Sequence, residues 1–374
     1  MGVVLKVAKF GGSSVKDAEA MGRCADLVCS QENLSVVVVS ATQNTTNELE
    51  LIAGTAKEGQ LDKALLLVDH LRARHCSICS DIDASPEALK EGELFLEEIL
   101  KEAKQLAVEI SEKRKYSKKD MDALYCLGER MSSFLFSKLL QLKTKKKVIL
   151  KDARKFIRTD STFGAGVAQV DQISNSSKKE LIPDLARDVI IVTQGFIGSD
   201  SDGATTTLGR EGSDYSATLI GEAIDASEVQ IWTDVEGVAT FDPRLIDNTR
   251  FIPELSYEEA STLALLGAKV LYPKTLFPAK RKGIPVFVGS SKNPKAEGTR
   301  IHGNCVSKKG PRGLSFLKNS EGNLLSLVGD ELGSLEGLPF KKVGESSVSV
   351  SYLIEDENLD KCLKELHELV LSHF

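Results

Sequence analysis

The sequence VVLKVAKFGGSSV, residues 3–15, joins a short apolar run to a pair of glycines. The run is rich in β-branched residues and predicts a strand, and the glycines predict the turn after it. The run LSVVVVSA, residues 34–41, is apolar throughout, which is typical of a strand covered on both faces of a parallel sheet. Further strand patterns are KKVILKD (146–152), DVIIVTQGF (188–196), EVQIWTDV (228–235) and IPVFVGS (284–290). Helical patterns or glycine-rich loops separate these strands, so the sequence predicts a mainly parallel α/β sheet.

A long helical excursion interrupts this alternation between Leu61 and about Leu142. Its apolar residues recur at helical spacing, and Ser85 followed by Pro86 predicts the start of a new helix. A stretch rich in Lys, Gly, Ser and Pro then occupies residues 291–311 and predicts a linker. Beyond it, two strand patterns and a C-terminal amphipathic helix predict a small α+β unit.

Composition limits the class of protein. The chain has 374 residues, 41% of them hydrophobic and 27% charged, which predicts a folded protein of more than one domain. The net charge of −6 argues against nucleic acid as the main partner. No apolar run is long enough to cross a membrane, no secretory signal is recognisable, and seven cysteines without a framework fit a reducing compartment. We therefore expect a cytoplasmic protein.

Phosphate binding is the first chemical hypothesis. Gly11 and Gly12 follow the first predicted strand, where their amides could approach an anion, and Lys9 places a cation beside them. Glycine turns after a first strand are also common as purely structural features. This segment alone leaves both interpretations open.

The segment TQGFIGSDSDGATTTLGREGSDYSA, residues 193–217, is the expected chemical centre. Ordering so many Gly, Ser, Thr and Asp residues is costly without a ligand. Arg210 can bind a carboxylate through two hydrogen bonds, and Ser213 and Asp214 stand near the start of the next predicted helix, where anions are favoured. The alternative is a hairpin stabilised by its own turns, which leaves Arg210 unexplained.

Two further groups of residues carry weaker signals. His70, His75, Cys76 and Cys79 lie close together, but they fall on a helical stretch without a second ligand pair, which disfavours a zinc or redox site. Trp232 at a strand end is more typical of core packing than of a base platform.

Six segments together resemble the aspartate kinase family, and the resemblance runs from about Val3 to Ser290. They are KFGGSSV (9–15), VVVVSA (36–41), LGERMS (127–132), the 193–217 segment, WTDVEGVATFDPR (232–244) and GAKVLYPKTL (267–276). The resemblance implies the amino acid kinase fold, a three-layer α/β/α sandwich with an open, mainly parallel sheet. It also implies catalysis by charge stabilisation, with ATP as phosphoryl donor.

The resemblance also implies a role for each matching residue. Lys9 would neutralise the transferring phosphoryl group, and Asp214 would orient the reacting groups. Glu129 would face the ammonium of L-aspartate, and Arg210 would bind its α-carboxylate. The remaining aspartate-binding residues would be Ser40, Thr46 and Ser213, with Thr46 preferred over Thr45.

For ATP the implied contacts lie in three of the six segments. They are Lys9, Phe10, Gly11, Gly12, Thr233, Asp234, Ala239, Arg244, Lys269 and Val270. Magnesium is expected to be held mainly through the ATP phosphates and not by a dedicated protein site.

Three departures from the family pattern qualify this transfer. The family commonly writes GRGGSD where this chain has Glu211 as the third residue, and it usually has a larger residue where Ala239 stands. Family members also carry two ACT modules, ferredoxin-like units that bind amino acids. Only about 60 residues follow Pro311, so only one shortened ACT-like unit can fit, and packing or dimerisation is favoured over lysine sensing.

We therefore expect an aspartate kinase that forms L-4-phosphoaspartate, the entry step to lysine, threonine, methionine and diaminopimelate synthesis. The expected division is a catalytic domain over residues 1–290, a linker over 291–311 and the ACT-like domain over 312–374. A homodimer without nucleic-acid or membrane partners is expected. Alternatives are a kinase of the same fold that acts on glutamate, acetylglutamate or a nucleotide, and a non-catalytic amino-acid sensor.

Overall fold

The computed structural model describes residues 4–268, 271–305, 309–319, 322–332 and 341–374. Packing divides the chain after Asp234 into two units, residues 1–234 and 235–374. The strands of the first unit are β1 Lys6–Phe10, β2 Leu34–Val39, β3 Lys147–Lys151, β4 Val189–Gln194, β5 Ile197–Ser199, β6 Thr205–Thr207 and β7 Glu228–Thr233.

The helices of the first unit include the predicted excursion. They are α1 Ala18–Cys29, α2 Thr45–Lys57, α3 Leu61–Ile82, α4 Pro86–Lys113, α5 Lys118–Lys143, α6 Val170–Glu180, α7 Ile182–Leu185 and α8 Gly212–Ala223, with 3-10 turns at Gly12–Val15 and Ala153–Lys155. Helix α4 begins at Pro86 behind the Ser85 cap, as the sequence predicts. A capping box of Ser117 and Asp120 starts α5 and divides the excursion once more.

A parallel sheet in the order β3-β4-β2-β1-β7 forms the centre of the first unit. Phe10 at the end of β1 pairs with Val39 of β2 and with Trp232 of β7, and Val39 pairs with Gln194 of β4. The carboxyl ends of these four strands therefore lie at one edge of the sheet. Loops that follow them meet there.

Helices cover both faces of this sheet. Successive residues of a strand point to opposite faces, and in β1 Lys9 contacts Asp214 of α8 while Phe10 packs against Phe136 of α5. Helices α8 and α5 therefore lie on opposite sides of the sheet. This confirms the predicted α/β/α layers.

The second unit contains short strands, helices and an antiparallel sheet. Its elements are β8 Glu254–Leu255, α9 Tyr257–Leu265, α10 Pro273–Lys282, β9 Val286–Ser290, β10 Thr299–Ile301, β11 Gly310–Asn319, β12 Gly322–Asp330, β13 Lys341–Ser346, β14 Ser349–Ile354, a 3-10 turn Asp356–Asn358 and α11 Leu359–Leu371. Strand β10 pairs with β9 and β8, although it falls in the stretch 291–311 that was expected to be an irregular linker. Three residues are too few to show a period-two pattern, which explains why the sequence did not indicate this strand.

The C-terminal antiparallel sheet has the order β11-β12-β14-β13. Leu363, Leu366 and Val370 of α11 join Leu325 and Leu327 of β12 in one buried cluster. This confirms the predicted small α+β unit. Most of the segment SLEGLPFKK, residues 334–342, lies outside the described residues. The proposed domain limits at 290 and 311 remain predictions.

Across the part of the chain that the structure describes, none of the helices combines the length and apolar character that crossing a membrane requires.

Two glycines in helices of the first unit have opposite surroundings, and this yields a matched test of packing. A β-carbon at Gly221 in α8 would lie 2.5 Å from Val229 Cγ2, whereas one at Gly54 in α2 would meet nothing within 4 Å. We expect Gly221→Ala to lower the free energy of unfolding by about 1–2 kcal/mol through overpacking. Gly54→Ala is expected to raise it by about 0.5–1 kcal/mol through helix propensity. Denaturant titration of both variants measures this, and equal effects would contradict the packing of α8 on β7.

Candidate active site

A cavity of about 560 Å³ opens at the carboxyl edge of the first unit's sheet. Its volume is in the range of small-molecule sites. Its lining comes from the turn after β1, the loop after β2, α2, α5, the loop before α6, the turn after β4, β6 and the start of α8. The lining residues are Gly12, Ser13, Ser40, Ala41, Thr42, Gln43, Asn44, Thr46, Asn47, Glu50, Tyr125, Glu129, Gly164, Phe196, Thr207, Gly209, Arg210, Glu211, Gly212 and Ser213.

An ion pair joins β1 to α8 beside this cavity. Lys9 Nζ lies 2.5 Å from Asp214 Oδ1, and both side chains are about nine-tenths buried, with 11% and 9% exposed. Asp214 is in the first turn of α8. The sequence predicted both residues but not their contact, which orients the lysine ammonium at the sheet edge.

The glycine turn after β1 depends on close approach of two loops. A β-carbon at Gly12 would lie 2.9 Å from the carbonyl oxygen of Ala41, so only glycine fits without movement. The amide of Gly11, however, donates to the carbonyl of Trp232 at 3.1 Å. The expectation that this amide binds phosphate is therefore corrected. Gly11 lies next to Lys9, since a β-carbon on it would be at contact distance, 3.5 Å, from Lys9 Nζ.

Glu129 brings a buried carboxylate to the cavity from α5. Glu129 is only 4% exposed. Its Oε1 accepts a hydrogen bond from the amide of Ala41 at 3.2 Å. Its Oε2 is buried and has no hydrogen-bond partner among the described residues. Burial raises the pKa of Glu129 to about 8, against the opposing effect of the Ala41 amide. Such a group can pair with a cation that enters the cavity.

The 193–217 segment divides into two parts with different roles. Its first part is the antiparallel hairpin of β5 and β6, and Asp200 accepts hydrogen bonds from the amides of Asp202 and Ala204 at its turn. The alternative of a self-stabilised hairpin is therefore right for this half. The second half, from Thr207 to Ser213, lines the cavity and contains Arg210.

Glu211 stands immediately before α8 with φ of 53° and ψ of 29°. This left-handed conformation favours glycine, the residue that the family commonly has here. The departure from GRGGSD therefore puts a charged side chain at position 211, where the left-handed backbone conformation favours glycine. Glu211 also lines the cavity, so its charge is close to any bound anion.

Asp122 supports the cavity but was missed by sequence reasoning. Its buried carboxylate accepts hydrogen bonds from the amide of Gly164 (2.9 Å) and from the amide (3.0 Å) and hydroxyl (2.7 Å) of Thr207. Burial raises its pKa, and these three donors oppose the rise. The only signal in the sequence is its spacing, seven residues before Glu129 and so on the same face of α5.

The proposed substrate residues are brought together. Ser40, Thr46, Glu129, Arg210 and Ser213 all line the cavity. Thr45, the less preferred alternative to Thr46, is buried and instead contacts Thr42 and Arg74.

The proposed nucleotide residues are not all brought together. Phe10 is fully buried against Phe136, and its carbonyl accepts from the amide of Ser40, so its predicted contact with ATP is corrected to a core role. Thr233 and Asp234 end the first unit, next to the edge at which β1 and β2 end. Lys269 and Val270 lie outside the described residues.

Ala239 and Arg244 belong to the second unit, where Ala239 bridges to Phe251 and Arg244 pairs with Asp242. Their roles remain predictions.

The residues behind the weaker signals make contacts within the protein. Trp232 is 5% exposed, and its indole donates to Gln230 within the core. The described residues contain no group of three or more His, Cys, Asp or Glu that could hold a metal ion. Both ring nitrogens of His75 are in hydrogen bonds to protein atoms.

Comparison with known proteins identifies the family. Residues 5–290 match the Amino acid kinase family. The chain is 40% identical to lysine-sensitive aspartokinase 3 of Escherichia coli over 318 residues, which is 84% of this chain and 67% of that protein. It is 36% identical to an aspartokinase of Chlamydia trachomatis over 321 residues, or 84% of this chain and 68% of that protein. The chain thus spans about two thirds of the length of these relatives.

Solved structures support the same family assignment. The crystal structure of E. coli aspartokinase III in complex with aspartate and ADP superimposes with a TM-score of 0.84 at 30% identity, covering 98% of this chain and all of that one. The same enzyme in complex with lysine and aspartate gives a TM-score of 0.83.

The carboxylate of Asp122 provides a test of how the cavity is held. The amides of Gly164 and Thr207 donate to Oδ2 and the Thr207 hydroxyl donates to Oδ1, so an asparagine, with one acceptor oxygen, loses at least one of the three contacts and makes the others without a charge. We expect Asp122→Asn to lower the free energy of unfolding by about 2 kcal/mol, and Thr207→Val, which removes one hydroxyl partner, by about 1 kcal/mol.

Urea titration measures both losses. Thr207→Ser keeps the hydroxyl and is the matched control. An Asp122→Asn variant as stable as the wild type would show that the three hydrogen bonds do not hold these loops.

Proposed function

The chain belongs to the amino acid kinase family, and within it to the aspartokinases, and we propose that it transfers the γ-phosphoryl group of ATP to the β-carboxylate of L-aspartate. The observation that carries this proposal is the cavity with Glu129 and Arg210 on its lining. An α-amino acid presents an ammonium and a carboxylate on one carbon, and these two side chains carry the complementary charges. A nucleotide or an acylated amine lacks the ammonium that Glu129 would bind.

The reaction needs little proton chemistry. A β-carboxyl group with a pKa of about 4 is already ionised at neutral pH, so no general base is required to activate it. A carboxylate oxygen forms a bond to the γ-phosphorus, the bond from that phosphorus to the β,γ-bridging oxygen breaks, and ADP leaves with the electron pair. The protein contributes position and charge.

Lys9 is the residue proposed to stabilise the charge on the transferring group. Its ammonium is held by Asp214 at 2.5 Å and therefore does not have to reorganise when the reaction occurs. The positive end of the α8 dipole, next to Ser213, adds to the field that favours an anion. Asp214 is thereby given the role of orienting Lys9.

Magnesium is proposed to enter as a complex with ATP and to be held mainly by its phosphate oxygens, where it would neutralise part of their charge. The residues proposed for ribose, phosphate and adenine contacts remain those that the family resemblance implies, Thr233, Asp234, Ala239, Arg244, Lys269 and Val270.

Finer aspects of the function are also proposals. We propose that the product, L-4-phosphoaspartate, enters lysine, threonine, methionine and diaminopimelate synthesis, that the chain acts as a homodimer and that it works in the cytoplasm. The C-terminal antiparallel sheet with α11 supports an ACT-like module over residues 312–374. We propose for this module a packing or dimerisation role and not effector binding.

A coupled assay of ADP release tests the activity. With magnesium-ATP we expect turnover with L-aspartate and little with L-glutamate or without an acceptor. Lys9→Ala is expected to reduce kcat at least about 100-fold, because it removes the preorganised charge. Lys16→Ala is the matched control, since Lys16 is about half exposed and pairs with neighbouring Asp17.

Three other outcomes of this assay would each correct the proposal. Turnover with glutamate would mean that the acceptor is not specifically aspartate. ADP release without any acceptor would mean that the chain hydrolyses ATP and does not transfer its phosphoryl group. Aspartate binding without turnover would favour the sensor. Added L-lysine, L-threonine or L-methionine should leave the rate unchanged if the tail is structural, and inhibition by one of them would make it a regulatory module.

Proton release should accompany aspartate binding. With a pKa of about 8, Glu129 is mostly protonated at neutral pH in the ligand-free protein, and it must ionise to pair with an ammonium. The affinity for aspartate is therefore expected to rise between pH 6 and pH 8 by about tenfold or more, and to level off above pH 8.

Calorimetric titration in two buffers of different ionisation enthalpy measures the released proton. Glu129→Gln should bind aspartate more weakly and without this pH dependence. An affinity of the wild type that is constant from pH 6 to pH 8 would contradict the role of Glu129.

A further inference from the structure

Helix α3 contacts the loop after β2 from outside the cavity. Arg74 and His75 of this helix contact residues 42–45, which form the turn between β2 and α2. His75 is fully buried, with no exposed surface. Neither Arg74 nor His75 lines the cavity, so their effect on it must pass through the loop.

The hydrogen bonds of His75 have a defined direction. Nδ1 lies 2.8 Å from the carbonyl oxygen of Leu71, which can only accept, so Nδ1 carries a proton. Burial lowers the pKa of His75 to about 4, so the ring is neutral at physiological pH and Nε2 is an acceptor. The hydroxyl of Thr42 lies 3.1 Å from Nε2 and therefore donates to it.

The direction continues through two threonines to Arg74. Thr42 uses its proton on His75, so its oxygen accepts from the hydroxyl of Thr45 at 2.6 Å. The oxygen of Thr45 in turn accepts from Arg74 Nη2 at 2.7 Å. Each hydroxyl thus donates once and accepts once. Because His75 Nε2 can only accept, every hydrogen bond in this series has one fixed donor and one fixed acceptor.

This chain of hydrogen bonds holds an irregular piece of backbone. Asn44, between the two threonines, has φ of 68°, which is left-handed. Arg74 Nη1 also donates to the carbonyl of Gln43 at 3.1 Å. The same loop supplies Ser40 to the cavity and leads into α2, whose first turn supplies Thr46, and the Ala41 amide of the loop donates to Glu129. A shift of the loop would therefore move several proposed aspartate contacts together.

We propose that His75 is a positioning residue for aspartate binding, because its Nε2 accepts the Thr42 hydroxyl and thereby fixes the loop that carries Ser40 and Ala41 and leads into Thr46 at the start of α2. The inference rests on the proposed function and adds to it a residue that touches no substrate. It also gives a role to His75, which the sequence analysis had considered together with Cys76 and Cys79 as a metal ligand.

Two near-isosteric replacements separate this role from packing. The amide of glutamine reaches the place of Nε2 and can accept from Thr42, whereas the amide of asparagine reaches only the place of Nδ1. We expect His75→Gln to keep the KM for aspartate within about twofold. His75→Asn is expected to raise that KM about tenfold, with the KM for ATP changed by no more than about twofold.

Thr42→Val removes the donor without changing the shape of the side chain. It is expected to raise the KM for aspartate to a similar extent. Combined with His75→Asn, it should add little, because both changes break the same hydrogen bond. Thermal unfolding of every variant without ligand provides the control for folding.

The outcomes are distinguishable. If His75→Asn and Thr42→Val both fold and both keep the wild-type KM for aspartate, the inference is wrong. If His75→Gln is impaired as much as His75→Asn, packing and not the acceptor is what matters, which also overturns it. Should the His75 variants fail to fold, Thr42→Val alone decides. Failure of the wild type to bind aspartate would instead remove the proposed function.

Discussion

Parallel pairing in near-equal register is the constraint on which this site depends. Because β1, β2, β4 and β7 end side by side, the chain must turn four times at one edge of the sheet. Every turn there is crowded, and the contact of Gly12 with the Ala41 carbonyl is a direct result. The same crowding brings Lys9, the loop after β2 and the start of α8 within reach of one small molecule. Ligand sites beyond the carboxyl ends of strands arise in this way.

Helix α5 connects this edge to the core through one of its faces. Asp122, Glu129 and Phe136 are spaced by seven residues, or about two turns, and so project in similar directions. Asp122 holds Gly164 and Thr207, Glu129 lines the cavity, and Phe136 packs against Phe10. The helix therefore changes along its length from a polar support of the site to part of the hydrophobic core. A shift of α5 would alter all three contacts at once.

Burial of polar groups in this region costs stability, and hydrogen bonds and ion pairs within the protein offset part of that cost. Glu129 is held in its protonated form by burial, and the Lys9–Asp214 pair is largely removed from water. His75 is kept neutral for the same reason. Glu129 and His75 are each held in one arrangement by hydrogen bonds: the Ala41 amide donates to Glu129, the Thr42 hydroxyl donates to His75, and His75 Nδ1 donates to the Leu71 carbonyl. Function and stability are opposed here, as is common where a site is organised before its ligand arrives.

The sequence by itself determined the class of fold, the family and most of the cavity lining, because these depend on local signals. Apolar runs such as LSVVVVSA and glycine turns predict strands and their ends from adjacent residues alone. Lys9, Glu129, Arg210 and Ser213 were identified in the same way, from motifs a few residues long. The tertiary structure decided which of these groups touch. The Glu129–Ala41 and Asp122–Thr207 hydrogen bonds join residues 88 and 85 positions apart, and no periodicity links them.

Tertiary structure also overruled local expectation at Phe10 and Gly11. The alternation of side chains in β1 was readable from the sequence, but not which helix would cover each face, so Phe10 could not be assigned to the core beside Phe136. The amide of Gly11 was taken by a carbonyl of β7, more than 200 residues away, because the partner strand is chosen by the packing of the whole sheet. Motifs specify which groups are present. The long-range pairing of strands and helices specifies which of them remain available to a ligand.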